Sequence, residues 1–190
     1  MKENDYDKLL ARKLSPLRYR HSRGVASYAA QLALKYNIEV NKARLAGLLH
    51  DYARDLPEGE LLTLAEEAGL ISCEVERKLP LLLHGPVGAY LVQKDLNVND
   101  GEILQAISRH TVGAPDMTLL DKIIYLADAL EPGRVYPGVD VLRRLAEEDL
   151  DKALLKALES SISYVLARGQ LLHPATVEAR NCLLMKRDNS

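Results

Sequence analysis

The 190-residue sequence predicts an all-α fold, one helical bundle domain spanning residues 1–190. Apolar residues recur at helical spacing in nearly every segment. Prolines and several of the glycines mark the ends of those segments. No stretch alternates as a half-buried strand does, and no internal repeat or low-complexity linker marks a second domain.

Each element follows from its punctuation. Ser15-Pro16 reads as an N-cap with proline in the first helical position, opening a helix to about Asn37. Asn41 is expected to cap a short helix through Leu45 and Leu48 that ends near His50-Asp51. Pro57 to Ala68 forms another, stopped by Gly69. A short piece from Ser72 to Lys78 precedes Pro80. Helices over Pro86 to Leu96 and Gly101 to His110 flank the turn-like Asn97-Val98-Asn99-Asp100. Thr118, with Asp121 three residues on, resembles a capping box, and its helix runs to Leu130 before Glu131-Pro132-Gly133 breaks it. Asp121 shares a face with Asp128, but the cap is its favoured role. Helices over Val139 to Glu147, Leu150 to Ala167 and Thr176 to Met185 finish the chain. The polar tail from Lys186 to Ser190 is expected to fray.

Composition narrows the function. A net charge of -2 gives no basic field for nucleic acid, and the absence of Phe and Trp weakens any reading based on base stacking. Charges or turn residues interrupt every apolar run, so no membrane span is expected. The opening MKENDYDKLL is acidic and lacks an apolar signal core, which predicts a cytoplasmic location. Cys73 and Cys182 form no CxxC pair and read as reduced thiols. Oligomeric state stays open, a homodimer included.

Five histidines make the chain readable one residue at a time. His21, His50, His84 and His110 lie in different helices or at helix ends, and Asp51 and Asp128 join them. A bundle can bring such residues to one interior point. Imidazole with carboxylate suits iron, manganese, cobalt, nickel or zinc rather than a calcium cage. Six ligands are too many for one catalytic zinc and suit two divalent ions sharing a carboxylate, with Asp51 the natural bridge. Two divalent ions against two aspartates leave positive charge for a phosphate and lower the pKa of a bound water. Single histidines are more often core or surface residues, and His173, beside Pro174, is left in that class.

The segments RYRHSRGV, AGLLHDYARDLP, LLHGPVGAYLVQ, ISRHTVGAPDMTLLDKIIYLADALEPGR and YPGVDVLRRLAEEDL resemble those of the bacterial YqeK family of HD-domain symmetrical diadenosine tetraphosphate hydrolases. The resemblance covers roughly Arg18 to Leu150. It implies an all-α HD fold, a di-metal site usually described with iron, and a dinucleoside polyphosphate substrate cleaved to two ADP. Carried over by position, His21, His50, Asp51 and Asp128 would hold one metal, and Asp51 would bridge to a second held by His84 and His110.

Asp51 and Arg54 are the expected catalytic residues. Arg18, Arg54, Lys122 and Arg134 are the phosphate candidates. Lys122 sits about 120° round its helix from Asp128, which turns it toward solvent. Thr111 and Gly113 would donate hydrogen bonds or allow close approach of backbone. The rivals are an HD phosphohydrolase acting on nucleoside phosphates or guanosine polyphosphate alarmones, an HD-type di-iron oxygenase, and a nucleotide-sensing domain with a degenerate site. The presence of all six ligands argues against the last.

Overall fold

The N-terminal helix is the element that the sequence reading lacked. The computed structural model describes residues 3–187, and α1 covers Glu3–Lys13. It has a charged start and no capping signal, but Tyr6, Leu10 and Leu14 recur every four residues and are all buried. At about 1.5–3 kcal/mol for each large apolar side chain removed from water, that stripe outweighs the missing cap.

Ten further helices follow, and no strand occurs among the described residues. They are α2 (Pro16–Lys35), α3 (Val40–Leu49), α4 (Glu58–Glu67), α5 (Glu74–Lys78), α6 (His84–Leu96), α7 (Gly101–Arg109), α8 (Leu119–Leu130), α9 (Val139–Glu148), α10 (Leu150–Ala167) and α11 (Pro174–Arg187). A single 3-10 turn, Pro80–Leu83, leads into α6. The all-α reading holds.

Several termini differ from expectation. Glu39, not Asn41, occupies the N-cap of α3, with no side-chain cap. Ser15 sits at the N-cap of α2, but its hydroxyl does not cap; its backbone N–H donates instead to Asp55 Oδ2 at 2.7 Å. The predicted Thr118 box is present. The Thr118 hydroxyl accepts from Asp121 N–H, and Asp121 Oδ2 accepts from Thr118 N–H. Helix α11 starts two residues early and continues through Lys186 and Arg187, so the expected fraying is absent there. The rest of that tail, residues 188–190, lies outside the described residues.

Helices α2, α3, α6, α7 and α8 form the central bundle, with α10 joining α8 to α9 and α11. Leu49, Leu83, Ile107, Ile123, Leu126 and Leu130 are fully buried where these helices meet. Gly47 lets α3 lie against α2, because a Cβ there would come within 3.0 Å of Ala26 Cα. The apolar contacts thus bring the C-terminal ends of α3, α7 and α8, the start of α6 and the second turn of α2 to one place.

Candidate metal centre

His21 lies in α2, His50 caps the C-terminus of α3, and Asp51 follows it. His84 opens α6, His110 caps α7, and Asp128 lies in α8. Three of the histidines are oriented in the same way. The Nδ1–H of His50 donates to Gly47 O at 2.7 Å, that of His84 to Leu81 O at 2.6 Å, and that of His110 to Ile107 O at 2.7 Å. Each acceptor lies three residues back, in the last turn of α3 for His50, of α7 for His110, and of the 3-10 turn that precedes α6 for His84. His21, inside a helix, has no such carbonyl. Its Nδ1–H donates to Glu131 Oε1 at 3.1 Å.

With all four Nδ1 atoms protonated, all four Nε2 atoms present lone pairs, and they converge on Asp51. Asp51 Oδ2 is 3.4 Å from His50 Nε2 and 3.9 Å from His21 Nε2, which is itself 2.9 Å from Asp128 Oδ1. Asp51 Oδ1 is 3.4 Å from His84 Nε2 and 3.8 Å from His110 Nε2. One carboxylate therefore faces two ligand sets, one through each oxygen.

These residues fit two cations. Donors about 2.1 Å from one ion, at tetrahedral to octahedral angles, stand roughly 3.0–3.4 Å apart, close to the observed spacings. His50 Nε2 is buried with no hydrogen-bond partner. His84 Nε2 and His110 Nε2 approach to 3.0 Å, and two lone pairs that close call for a positive charge between them. At His50 burial lowers the pKa, but Asp51 and Asp128 outweigh it and raise it, so a cation would displace a proton there. Asp51, Asp128 and His110 already hold the forms a cation needs. Burial pushes the Asp51 carboxyl up, but His50, His84 and His110 outweigh it and hold the group well below its ordinary value. Burial raises Asp128 too, and His21, His50, His110 and Arg134 bring it down further. Burial, with His50 and His84 adding to it, pushes the His110 pKa down to about 3. Ionised carboxylates and a neutral imidazole are the forms a metal needs.

Cations ring the Asp128 side. Arg18 Nη1 donates to Asp51 Oδ2 at 3.1 Å, and Arg134 Nε donates to Asp128 O at 2.8 Å while its Nη2 pairs with Asp128 Oδ1. Arg54 is half-buried, and burial together with the like charge of Arg18 pulls its pKa below the ordinary value. A guanidinium held that way gains from an incoming anion. Thr111 joins from the other side, its Oγ1 3.3 Å from both His84 Nε2 and His110 Nε2.

Two sequence expectations are corrected by their surroundings. Lys122 is turned away and pairs with Asp151 on α10, as its position round the helix implied. Gly113 has a φ of +76° and does permit close approach, but what approaches is the Ala179 Cβ of α11, 3.3 Å from where a Gly113 Cβ would stand.

Glu131 was read only as part of a helix break, yet it orients a ligand. It is buried, and its Oε2 accepts from Gly133 N–H at 2.6 Å. A Cβ at Gly24 would lie 2.5 Å from that same oxygen, so α2 is kept bare where Glu131 enters. Arg143 clamps this loop, donating to the carbonyl oxygens of Leu130, Glu131 and Arg134 at 2.8, 2.9 and 2.8 Å. The usable signal was an acidic residue right after the Asp128 helix, masked by the Pro-Gly that follows.

Residues 18–133 match the HD domain family, and all six candidate ligands fall inside that span. The chain belongs to the HD-domain family. Among HD-domain relatives, the symmetrical bis(5'-nucleosyl)-tetraphosphatase of Bacillus subtilis (strain 168) is 40% identical over 172 residues, 90% of this chain and 92% of the relative. The enzyme of the same description from Halalkalibacterium halodurans is 40% identical over 173 residues, 91% and 92% of the two chains. A Mycoplasma genitalium protein described as a probable nicotinate-nucleotide adenylyltransferase/Ap4A hydrolase is 35% identical over 148 residues; these make up 75% of this chain but 41% of that longer one. A crystal structure of a predicted HD superfamily hydrolase involved in NAD metabolism from Clostridium acetobutylicum superposes with a TM-score of 0.95 at 41% identity, covering 98% of each chain.

A second group has similar residue types. Cys73 Sγ lies 3.4 Å from His173 Nε2, which is 3.2 Å from Glu76 Oε1. His173 is buried, as its reading as a structural residue implied. Its Nδ1 accepts from Ala175 N–H at 3.2 Å, so the proton sits on Nε2 and points at Glu76. Glu76 Oε2 accepts from the Ser72 N–H and hydroxyl and from Cys73 N–H.

Proposed function

We infer that this chain hydrolyses diadenosine tetraphosphate symmetrically, to two ADP, at a centre holding two divalent ions. The observation that carries the reading is the Asp51 carboxylate, one oxygen toward His21 and His50 and the other toward His84 and His110. Relatives about 40% identical over nine-tenths of the chain, described as symmetrical tetraphosphatases, supply the substrate. His21, His50, Asp51 and Asp128 would hold one ion, and Asp51, His84 and His110 the other. Iron is the proposed metal, as the family resemblance implies; imidazole and carboxylate donors without thiolate would equally suit manganese, cobalt, nickel or zinc. Residues 1–190 are proposed to act as one domain. The proposed location is the cytoplasm, and no described helix is long and apolar enough to cross a membrane.

Two bound cations supply Lewis acidity toward phosphoryl oxygens and a water of lowered pKa. The remaining work belongs to side chains. Arg54 and Arg18 share a crowded positive field beside Asp51, and a polyphosphate relieves their mutual repulsion. Arg134, already forked onto Asp128, offers planar donors to phosphate oxygens. Thr111 places a hydroxyl at the His84–His110 pair. These fixed groups hold the phosphate chain in line for attack and stabilise charge on the leaving diphosphate, which needs little proton assistance.

The test is anaerobic purification, metal quantification, and separation of the products from diadenosine tetraphosphate. About two metals per chain and ADP as sole product are expected. AMP with ATP would overturn symmetrical cleavage. Turnover of guanosine polyphosphates in preference to the dinucleotide would move the substrate, and oxygen consumption would move the reaction class.

A further inference from the structure

The turn that closes the first ligand set buries almost nothing of its own. From Pro132 to Gly138 every residue but the half-buried Arg134 is exposed, and Val135 keeps 92% of its surface in water. Apolar burial therefore cannot fix this stretch, and hydrogen bonds must. Two functional side chains depend on where it runs. Glu131 reaches back to His21 Nδ1 at 3.1 Å, and Arg134 reaches Asp128 O through Nε at 2.8 Å.

Tyr136 adds one tie, its hydroxyl donating to Ala129 O at 3.0 Å. The main anchor comes from α9. Arg143 Nε donates to Leu130 O, and its Nη2 donates to both Glu131 O and Arg134 O. Leu130 and Glu131 stand at the C-terminus of α8, where carbonyls lack an intrahelical partner and the helix dipole favours a cation. Arg143 Nη1 turns the other way, to Asp140 Oδ1 at 2.8 Å, which holds the plane of the guanidinium. Val139, Leu142 and Ala146 are buried, so α9 gives that group a fixed base.

We propose that Arg143 is a positioning residue for the metal centre, acting through Glu131 and Arg134 on the ligand set of His21 and Asp128. This role rests on the two-ion reading above, and it makes α9 part of the site although that helix contributes no ligand.

Geometry limits what could replace Arg143. Its planar fork spreads donors over separate nitrogens and meets carbonyls on both sides of the Pro132-Gly133 bend. A lysine ammonium concentrates its donors on one atom and cannot span the same set. Glu131 and Arg134 ride on one turn, so a single displacement disturbs both. Glu131 then leaves His21 Nδ1, and Arg134 loses its angle on Asp128. The other ligand set is insulated, because no hydrogen bond of Arg143 among the described residues reaches α6 or α7, which position His84 and His110.

The experiment titrates cobalt(II), an ion these donors suit, against a competing chelator. Wild type, Arg143→Ala, Arg143→Lys, Glu131→Ala and the double variant Glu131→Ala with Arg143→Ala are compared. Glu131→Ala marks which binding phase belongs to His21. That phase should weaken about tenfold in Arg143→Ala and in Arg143→Lys, while the other stays within about twofold. The retained phase also reports that each variant is folded. Should Arg143→Ala fail to fold, Arg143→Lys, which keeps the charge, carries the test. Because Arg143 acts through Glu131, Arg143→Ala should cost the His21 phase less in the Glu131→Ala background than in wild type. Equal weakening of both phases, full additivity, a wild-type titration in Arg143→Lys, or a lowered melting temperature with both phases intact would overturn the role. Selective loss of the His21 phase in a protein that fails to cleave diadenosine tetraphosphate supports the role and overturns the reaction instead.

Discussion

Among the described residues stand two groups of buried histidine and carboxylate, and residue types alone hardly separate them. At the central group, every histidine donates from Nδ1, three to carbonyls at helix ends and one to Glu131, so all four Nε2 lone pairs point inward. At the Cys73–Glu76–His173 group the hydrogen bonds run the other way. A backbone N–H takes the Nδ1 lone pair of His173, and its Nε2–H is spent on Glu76. The first arrangement turns its lone pairs on one another and would accept a cation; the second is already satisfied. Direction of hydrogen bonding, more than residue type, tells a ligand from a structural histidine.

Asp51→Ala should break the contrast most. It removes the one group shared by both ligand sets, and hydrolysis should fall by at least about a thousandfold with metal content reduced at both positions. A variant keeping two metals would refute the bridge. Glu131→Ala comes next. It leaves His21 Nδ1 without its acceptor, and metal affinity at the His21 position should drop by about 10–100-fold, measured by competition with a chelator. Glu131→Gln, which keeps an acceptor but no charge, should lose less; equal losses would show that only the charge matters.

His173→Ala sharpens the comparison from the other side. Metal stoichiometry should not change, whereas the melting temperature should fall, since a buried Glu76 loses a donor. The expected cost is about 1–3 kcal/mol, at roughly 2–4 °C for each kcal/mol in a domain this size. Burial raises the Glu76 carboxyl, but donors from His173, Ser72 and Cys73 outweigh it and keep the group below its ordinary value of 4.5. Stability from Glu76 is therefore present above that pH and lost as pH falls through the lowered folded value. Wild type should lose melting temperature more steeply than Glu76→Gln on acidification below about pH 5. Cys73→Ser should do least, with metal content unchanged and stability within about 0.5 kcal/mol. A metal lost with Cys73 or His173 would erase the distinction between the groups.

Much of this was legible in sequence because it is carried by identity and spacing. His-Asp adjacency, histidines at helix ends and the Thr118–Asp121 box name their partners within a few residues. What stayed hidden depends on distant chain. Glu131 acquires its role from α2, where Gly24 leaves it room, and neither residue hints at the other. Lys122 could be placed round its helix but not assigned Asp151. Gly113 was read as accessible to ligand because it closely follows His110, and nothing near it in sequence names α11, which covers it. Helix α1 was missed for a different reason: Tyr6 and Leu10, with Leu14 just past its end, form a regular stripe, but polar neighbours and the absence of a cap concealed it.

The first metal position is closed by a contact between His21 and Glu131, which lie 110 residues apart. During synthesis, a ribosome that has released α2 and α3 has exposed His21, His50 and Asp51 with nothing opposite them. Until the segment through Glu131 and Arg134 emerges and Arg143 pins it, those residues form only an incomplete set of donors. A nascent or truncated chain should hold metal weakly and leave nucleotides intact. Catalytic competence therefore arrives late in translation, only once the chain through Arg143 has been made.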